Sequence, residues 1–77
     1  MAAEGRKLRN VRAPQAIRAF ERLGYELVAS RGSHHRLRHP EKGQIVIPVH
    51  AGAVKVGIIM DALKKAGISV EEFEGAL

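Results

Sequence analysis

An α+β domain in the order α-β-β-β-α, with a three-stranded antiparallel sheet and the helices on one of its faces, is what this sequence predicts. Three observations carry the expectation. Apolar residues recur at helical spacing toward both ends of the chain, and three short stretches between them alternate as half-buried strands do. The joints between those stretches are short turns, which join antiparallel neighbours and leave no room for a crossover. Seventy-seven residues make one domain, and an apolar fraction of 45% is ordinary for a globular chain. The expected division is a basic lead-in over 1–12 and a single folded domain over 13–77.

The lead-in carries Arg6, Lys7, Arg9 and Arg12 with little apolar content, as a segment does that stays flexible until nucleic acid or a partner covers it. A merely solubilising tail fits it equally well. From Pro14 to Leu23 the pattern is helical. Proline suits the first turn, Ala13, Ala16, Ile17, Phe20 and Leu23 form the stripe, and Gly24 supplies the stop. Tyr25 to Ser30 alternates Tyr25-Leu27-Ala29 against Glu26-Val28-Ser30, a first strand. The turn Arg31-Gly32-Ser33 leads to a second, His34 to His39; Pro40-Glu41-Lys42-Gly43 turns into a third, Gln44 to Val49. Ile45, Ile47 and Val49 share a face of the third strand, and Pro48, with no N–H for a ladder, marks its end or an edge. Ala51-Gly52-Ala53 reads as a loop. A second helix is expected from about Lys55 to Ala66, with Val56, Ile59, Met60, Leu63 and Ala66 on its stripe and Gly67 as its end. Ser69 and Glu72 match a capping box for a short last helix to about Gly75.

Thirteen Lys+Arg against eight Asp+Glu give a formal charge of +5, which favours an anionic partner, nucleic acid before membrane. Phe20, Phe73 and Tyr25 are too few to stack unpaired bases, so contact with the nucleic-acid backbone is expected in place of base reading. No apolar run approaches the roughly 18 residues of a membrane span, and Met1 to Lys7 leads into no apolar signal-peptide core. The absence of cysteine rules out a disulfide framework and fits a reducing cytoplasm.

The chemistry concentrates in Gly32-Ser33-His34-His35-Arg36-Leu37-Arg38-His39-Pro40, which holds three of the four histidines. Leu37 needs a core, so alternation puts His35 and His39 on its face and His34, Arg36 and Arg38 on the other. Because one apolar residue sets that phase, a shift of one residue exchanges His34 for His35. A metal site has little support. His35 and His39 are roughly 13 Å apart along a strand, and although His50 can join one of them, no acidic third ligand is placed. Ser33 has no carboxylate placed to orient a histidine beside it, so seryl hydrolysis is set aside. General acid–base work by one histidine remains, with Arg36 and Arg38 holding a phosphate and its developing charge. Such a histidine is on most surfaces simply solvated.

Gly24-Tyr25-Glu26-Leu27-Val28, Gly32-Ser33-His34-His35, His39-Pro40, Ile47-Pro48-Val49-His50 and Ala66-Gly67-Ile68-Ser69 together resemble the HicA toxin family, over about Val11 to Phe73. The resemblance implies a fold like that of double-stranded-RNA-binding domains. It further implies a metal-independent, ribosome-independent endoribonuclease that cleaves mRNA in the cytoplasm, uses no cofactor and is neutralised by a HicB antitoxin. The family's catalytic histidine maps onto His34, or onto His35 if the register is shifted, and the Gly32 turn positions it. The expected RNA-binding residues are Gly32, Ser33, Arg36, Arg38 and Lys55. Where the family commonly reads Lys-Pro-Gly-Thr-Leu into the second helix, this chain has Lys55-Val56-Gly57-Ile58-Ile59 and so lacks a threonine hydroxyl there. The alternative from another class is a small RNA-binding module without catalysis, which suits a basic, aromatic-poor domain. A protein–protein adaptor is a third reading, one that predicts no RNA affinity.

Overall fold

The computed structural model describes residues 8–49 and 52–77. Helix α1 (Ala13–Arg22) is followed by strands β1 (Glu26–Arg31), β2 (His34–His39) and β3 (Gly43–Pro48), then by helices α2 (Val56–Ala66) and α3 (Val70–Ala76). The strands form one antiparallel sheet in the order β1-β2-β3. The α+β class and the antiparallel meander expected from the sequence are therefore present.

Each helix ends where its sequence demands. Pro14 lies in the first turn of α1, and the Gln15 side chain accepts a hydrogen bond from the Arg12 N–H at 2.9 Å. Gly67 closes α2 with φ +68°, a left-handed backbone that glycine adopts without steric cost. Ser69 Oγ accepts from the Glu72 N–H at 3.0 Å while Glu72 Oε1 accepts from the Ser69 N–H at 3.1 Å, a complete capping box for α3. Helix α2 buries Ile59, Ala62, Leu63 and Ala66, one stripe of i, i+3, i+4 and i+7. Met60, expected on that stripe, is instead exposed, and Ala62 takes its place.

The core lies between the helices and one face of the sheet. Leu37 from β2 and Ile45 and Ile47 from β3 meet Phe20 from α1, Ile59 and Leu63 from α2 and Phe73 from α3. Phe20 is its centre, 5.4 Å from the Tyr25 ring in an edge-to-face arrangement and 5.0 Å from Phe73. Leu8 and Val11, which the sequence reading placed in a basic lead-in, are buried here as well. A short antiparallel bridge between Arg12 and Ala53, with the Val54 N–H donating to the Val11 carbonyl at 2.7 Å, ties that segment to the approach to α2. Two isolated apolar residues among cations show no periodicity, so only the tertiary contacts reveal them. Residues 1–7, like His50 and, from the expected loop, Ala51, lie outside the described residues. Among the described residues no helix is long and apolar enough to cross a membrane.

The pairing of β1 with β2 is interrupted once. The β1–β2 register runs Glu26↔Arg38 and Leu27↔Leu37, then resumes as Ala29↔Arg36, Ser30↔His35 and Arg31↔His34. Val28 is the extra residue of a β-bulge. The simple alternation expected for Tyr25 to Ser30 holds only as far as Leu27. Beyond the bulge the phase reverses, and Ala29 and Arg31 join the face opposite the helices.

Candidate functional site

The face of the sheet turned away from the helices is built in three cross-strand rows. Glu26, Arg38 and Gln44 form the first, Ala29, Arg36 and Val46 the second, and Arg31, His34 and Pro48 the third. All of these residues except the half-buried Pro48 are exposed. The phase that puts them there comes from Leu37, which is fully buried under the helices and leaves its strand neighbours Arg36 and Arg38 outside.

His34 opens β2 directly after the hairpin turn. The loop between Arg31 and His34 is the two-residue Gly32-Ser33, with φ +53° at Gly32 and no positive φ at Ser33. That is the pattern of a type II′ hairpin, whose first central position favours glycine. A Cβ at Gly32 would meet nothing within 4 Å, so backbone conformation and not space calls for glycine there. On its other side the Ser33 carbonyl accepts a hydrogen bond from the Val49 N–H, beyond the end of β3. His34 is thus held by a fixed turn and by pairing to β1 and β3.

A shallow depression of about 340 Å³ lies around it, lined by Ala29, Arg31, His34, Arg36 and Val46. Ala29 and Val46 contribute short side chains to it, and Arg31, Arg36 and His34 contribute two guanidinium groups and one imidazole. Among the described residues, no carboxylate lines it. Such a site attracts an anion and offers an imidazole as a candidate acid or base.

The other expected residues fall elsewhere. Arg38 is on the same face but four residues further along β2, roughly 13 Å away at strand rise, and stands opposite Glu26. Lys55 is exposed as the N-cap of α2 and does not line the depression. His35 points to the helix side of the sheet, half-buried, with its Nε2 3.0 Å from Ser30 Oγ across the strand pair. Its Nδ1 is buried without a hydrogen-bond partner. His39, also half-buried, accepts hydrogen bonds at Nδ1 from the Glu41 and Lys42 N–H groups at 3.0 and 3.2 Å, and its ring lies 5.1 Å from that of Tyr25. Two backbone donors on Nδ1 give it a structural task, holding the β2–β3 turn. Among the described residues, no three potential metal ligands are grouped; His50, considered above as a ligand, lies outside them.

Arg31, which alternation alone puts in the turn before β2, closes β1 opposite His34. The signal was present in the Gly-Ser pair. A two-residue hairpin makes the residue before the glycine the cross-strand partner of the residue after the serine.

A comparison with curated proteins gives no match. The family described as the HicA toxin of bacterial toxin–antitoxin systems matches residues 13–68. That span runs from the start of α1 through all three strands and α2, and includes the whole histidine strip. The chain therefore belongs to the HicA toxin family, the toxin component of bacterial toxin–antitoxin systems.

Proposed function

We propose that this toxin is a metal-independent, ribosome-independent endoribonuclease that cleaves mRNA, with His34 as its catalytic group. The observation that carries the reading is the position of His34, exposed in a depression that it lines together with Arg36 and, among the described residues, no carboxylate. His34 takes the proton of a ribose 2′-hydroxyl. The 2′-oxygen then attacks the adjacent phosphorus, and the bond to the next nucleotide's 5′-oxygen breaks. A 2′,3′-cyclic phosphate and a 5′-hydroxyl result, the leaving oxygen taking a proton from the imidazolium or from water. Arg36 binds the phosphate and opposes its growing charge, because a guanidinium presents a planar fork of donors that matches phosphate oxygens.

Gly32 and Ser33 act by holding the turn that aims His34. Arg38 and Lys55 contact backbone phosphates further along the RNA, in a sequence-independent way. A HicB-like antitoxin of acidic character neutralises the toxin by covering the same open face of the sheet.

The competing reading, an RNA-binding module without catalysis, is separated by incubating purified protein with RNA in EDTA. The nuclease reading predicts fragments ending in cyclic phosphate. Bound but intact RNA supports the module, and cleavage lost in EDTA but restored by zinc revives a metal site. Absence of RNA binding at low salt supports a protein–protein adaptor.

A further inference from the structure

We propose that Arg31, and not Arg38, is the second cation at the reacting phosphate, so that Arg31 and Arg36 grip the non-bridging oxygens while His34 moves the proton. This rests on the ribonuclease reading of His34 and deepens it.

The sheet register carries the assignment. Arg31 is the direct cross-strand partner of His34, and opposed residues on one face stand about 5 Å apart. Arg36 lies on the same face two residues along β2, roughly 7 Å at strand rise. The two arginines thus approach the depression from two strands, and both line it. Arg38 does not line it, and its cross-strand partner is the carboxylate-bearing Glu26. The row of Arg31 holds His34 and Pro48 and no carboxylate, whereas the row of Arg38 includes Glu26.

The bulge at Val28 makes this possible. Had the Glu26↔Arg38 and Leu27↔Leu37 register continued unbroken, Ser30 would stand opposite His34 and Arg31 would fall in the turn. One inserted residue replaces a hydroxyl with a cation beside the histidine and sends Ser30 to the helix side, where it meets His35. Bulges recur where a sheet must re-aim a side chain, and here the re-aimed side chain is Arg31. Ala29 and Val46 of the middle row, both with short side chains, line the same depression.

The test is single-turnover cleavage of a defined RNA by the full chain, with protein in excess, for Arg31→Gln, Arg31→Lys, Arg38→Gln and His34→Ala. Arg31 is exposed at a hairpin end, so the variants are expected to fold, and an unchanged circular dichroism melt checks this. Arg31→Gln should lower the saturated rate about a hundredfold, the loss typical of one preorganised charge-stabilising donor. Arg31→Lys, keeping the charge but not the fork, should recover part of it. Arg38→Gln should act chiefly on the half-saturating concentration and on its salt dependence. A wild-type saturated rate for Arg31→Gln, or an equal loss in Arg38→Gln, overturns the assignment while an inactive His34→Ala leaves the parent reading standing. A fully active His34→Ala overturns both.

Discussion

Gly32 and Tyr25 hold the strip that carries His34 from its two ends, each by a single local feature. At Gly32 the left-handed φ of +53° is needed for the hairpin, and a side chain there costs about 1–2 kcal/mol. Gly32→Ala should lower the urea midpoint and misplace His34, whereas Gly32→Asn, which tolerates that backbone better, should lose less of both. Tyr25 is buried with a hydroxyl that finds no hydrogen-bond partner, and burial raises its pKa above the usual 10.0. Neutral tyrosine is thus favoured by the folded state. Its contribution is complete below the unfolded pKa of about 10 and declines as pH rises through the folded value. Tyr25→Phe should therefore match or exceed wild-type stability at pH 7, because a lone buried hydroxyl is costly. It should also lose less stability above about pH 10, as chemical denaturation across alkaline pH will show. At this scale the sequence was most informative where one side chain had one possible place. Leu37 alone, by needing a core, put His34, Arg36 and Arg38 on the open face.

The elements themselves show where such inference stops. Helix termini were legible because caps and breakers act locally: Gly24, Gly67 and the Ser69–Glu72 box stand where their chemistry requires. Removing that box with Ser69→Ala should cost about 1 kcal/mol, read as a lower melting temperature, because α3 is short and brings Phe73 to Phe20. The bulge was not legible, because Val28 is as acceptable on one face of a strand as on the other. Its cause lies in the pairing of two strands, which no single segment records. Arg31 was lost for the same reason. Met60 fits the helical period from Val56, but the stripe that packs runs from the half-buried Val56 through Ile59, Ala62, Leu63 and Ala66 and leaves Met60 outside.

Across the whole molecule, function follows from asymmetry. Among the described residues, the helices lie on one side of a three-stranded sheet, and the other side presents Arg31, His34, Arg36 and Arg38, with Glu26 at its far row. A domain of this length holds roughly 4–12 kcal/mol of stability, and its core draws on residues as early as Leu8. Leu8→Ala should thus cost about 3 kcal/mol in urea denaturation, a result no flexible lead-in would give. Arg22 adds a link between distant parts, its Nη1 donating to the Ala76 and Leu77 carbonyls at 2.6 and 3.2 Å and joining the end of α1 to the end of α3. With the helices on one side, His34 and His35, neighbours in sequence, face opposite sides of the sheet. The decisive measurement is cleavage of one RNA by His34→Ala and His35→Ala, each shown to be folded. Loss of all fragments in His34→Ala, with cleavage retained in a folded His35→Ala, is the predicted result. Wild-type cleavage by His34→Ala would contradict it.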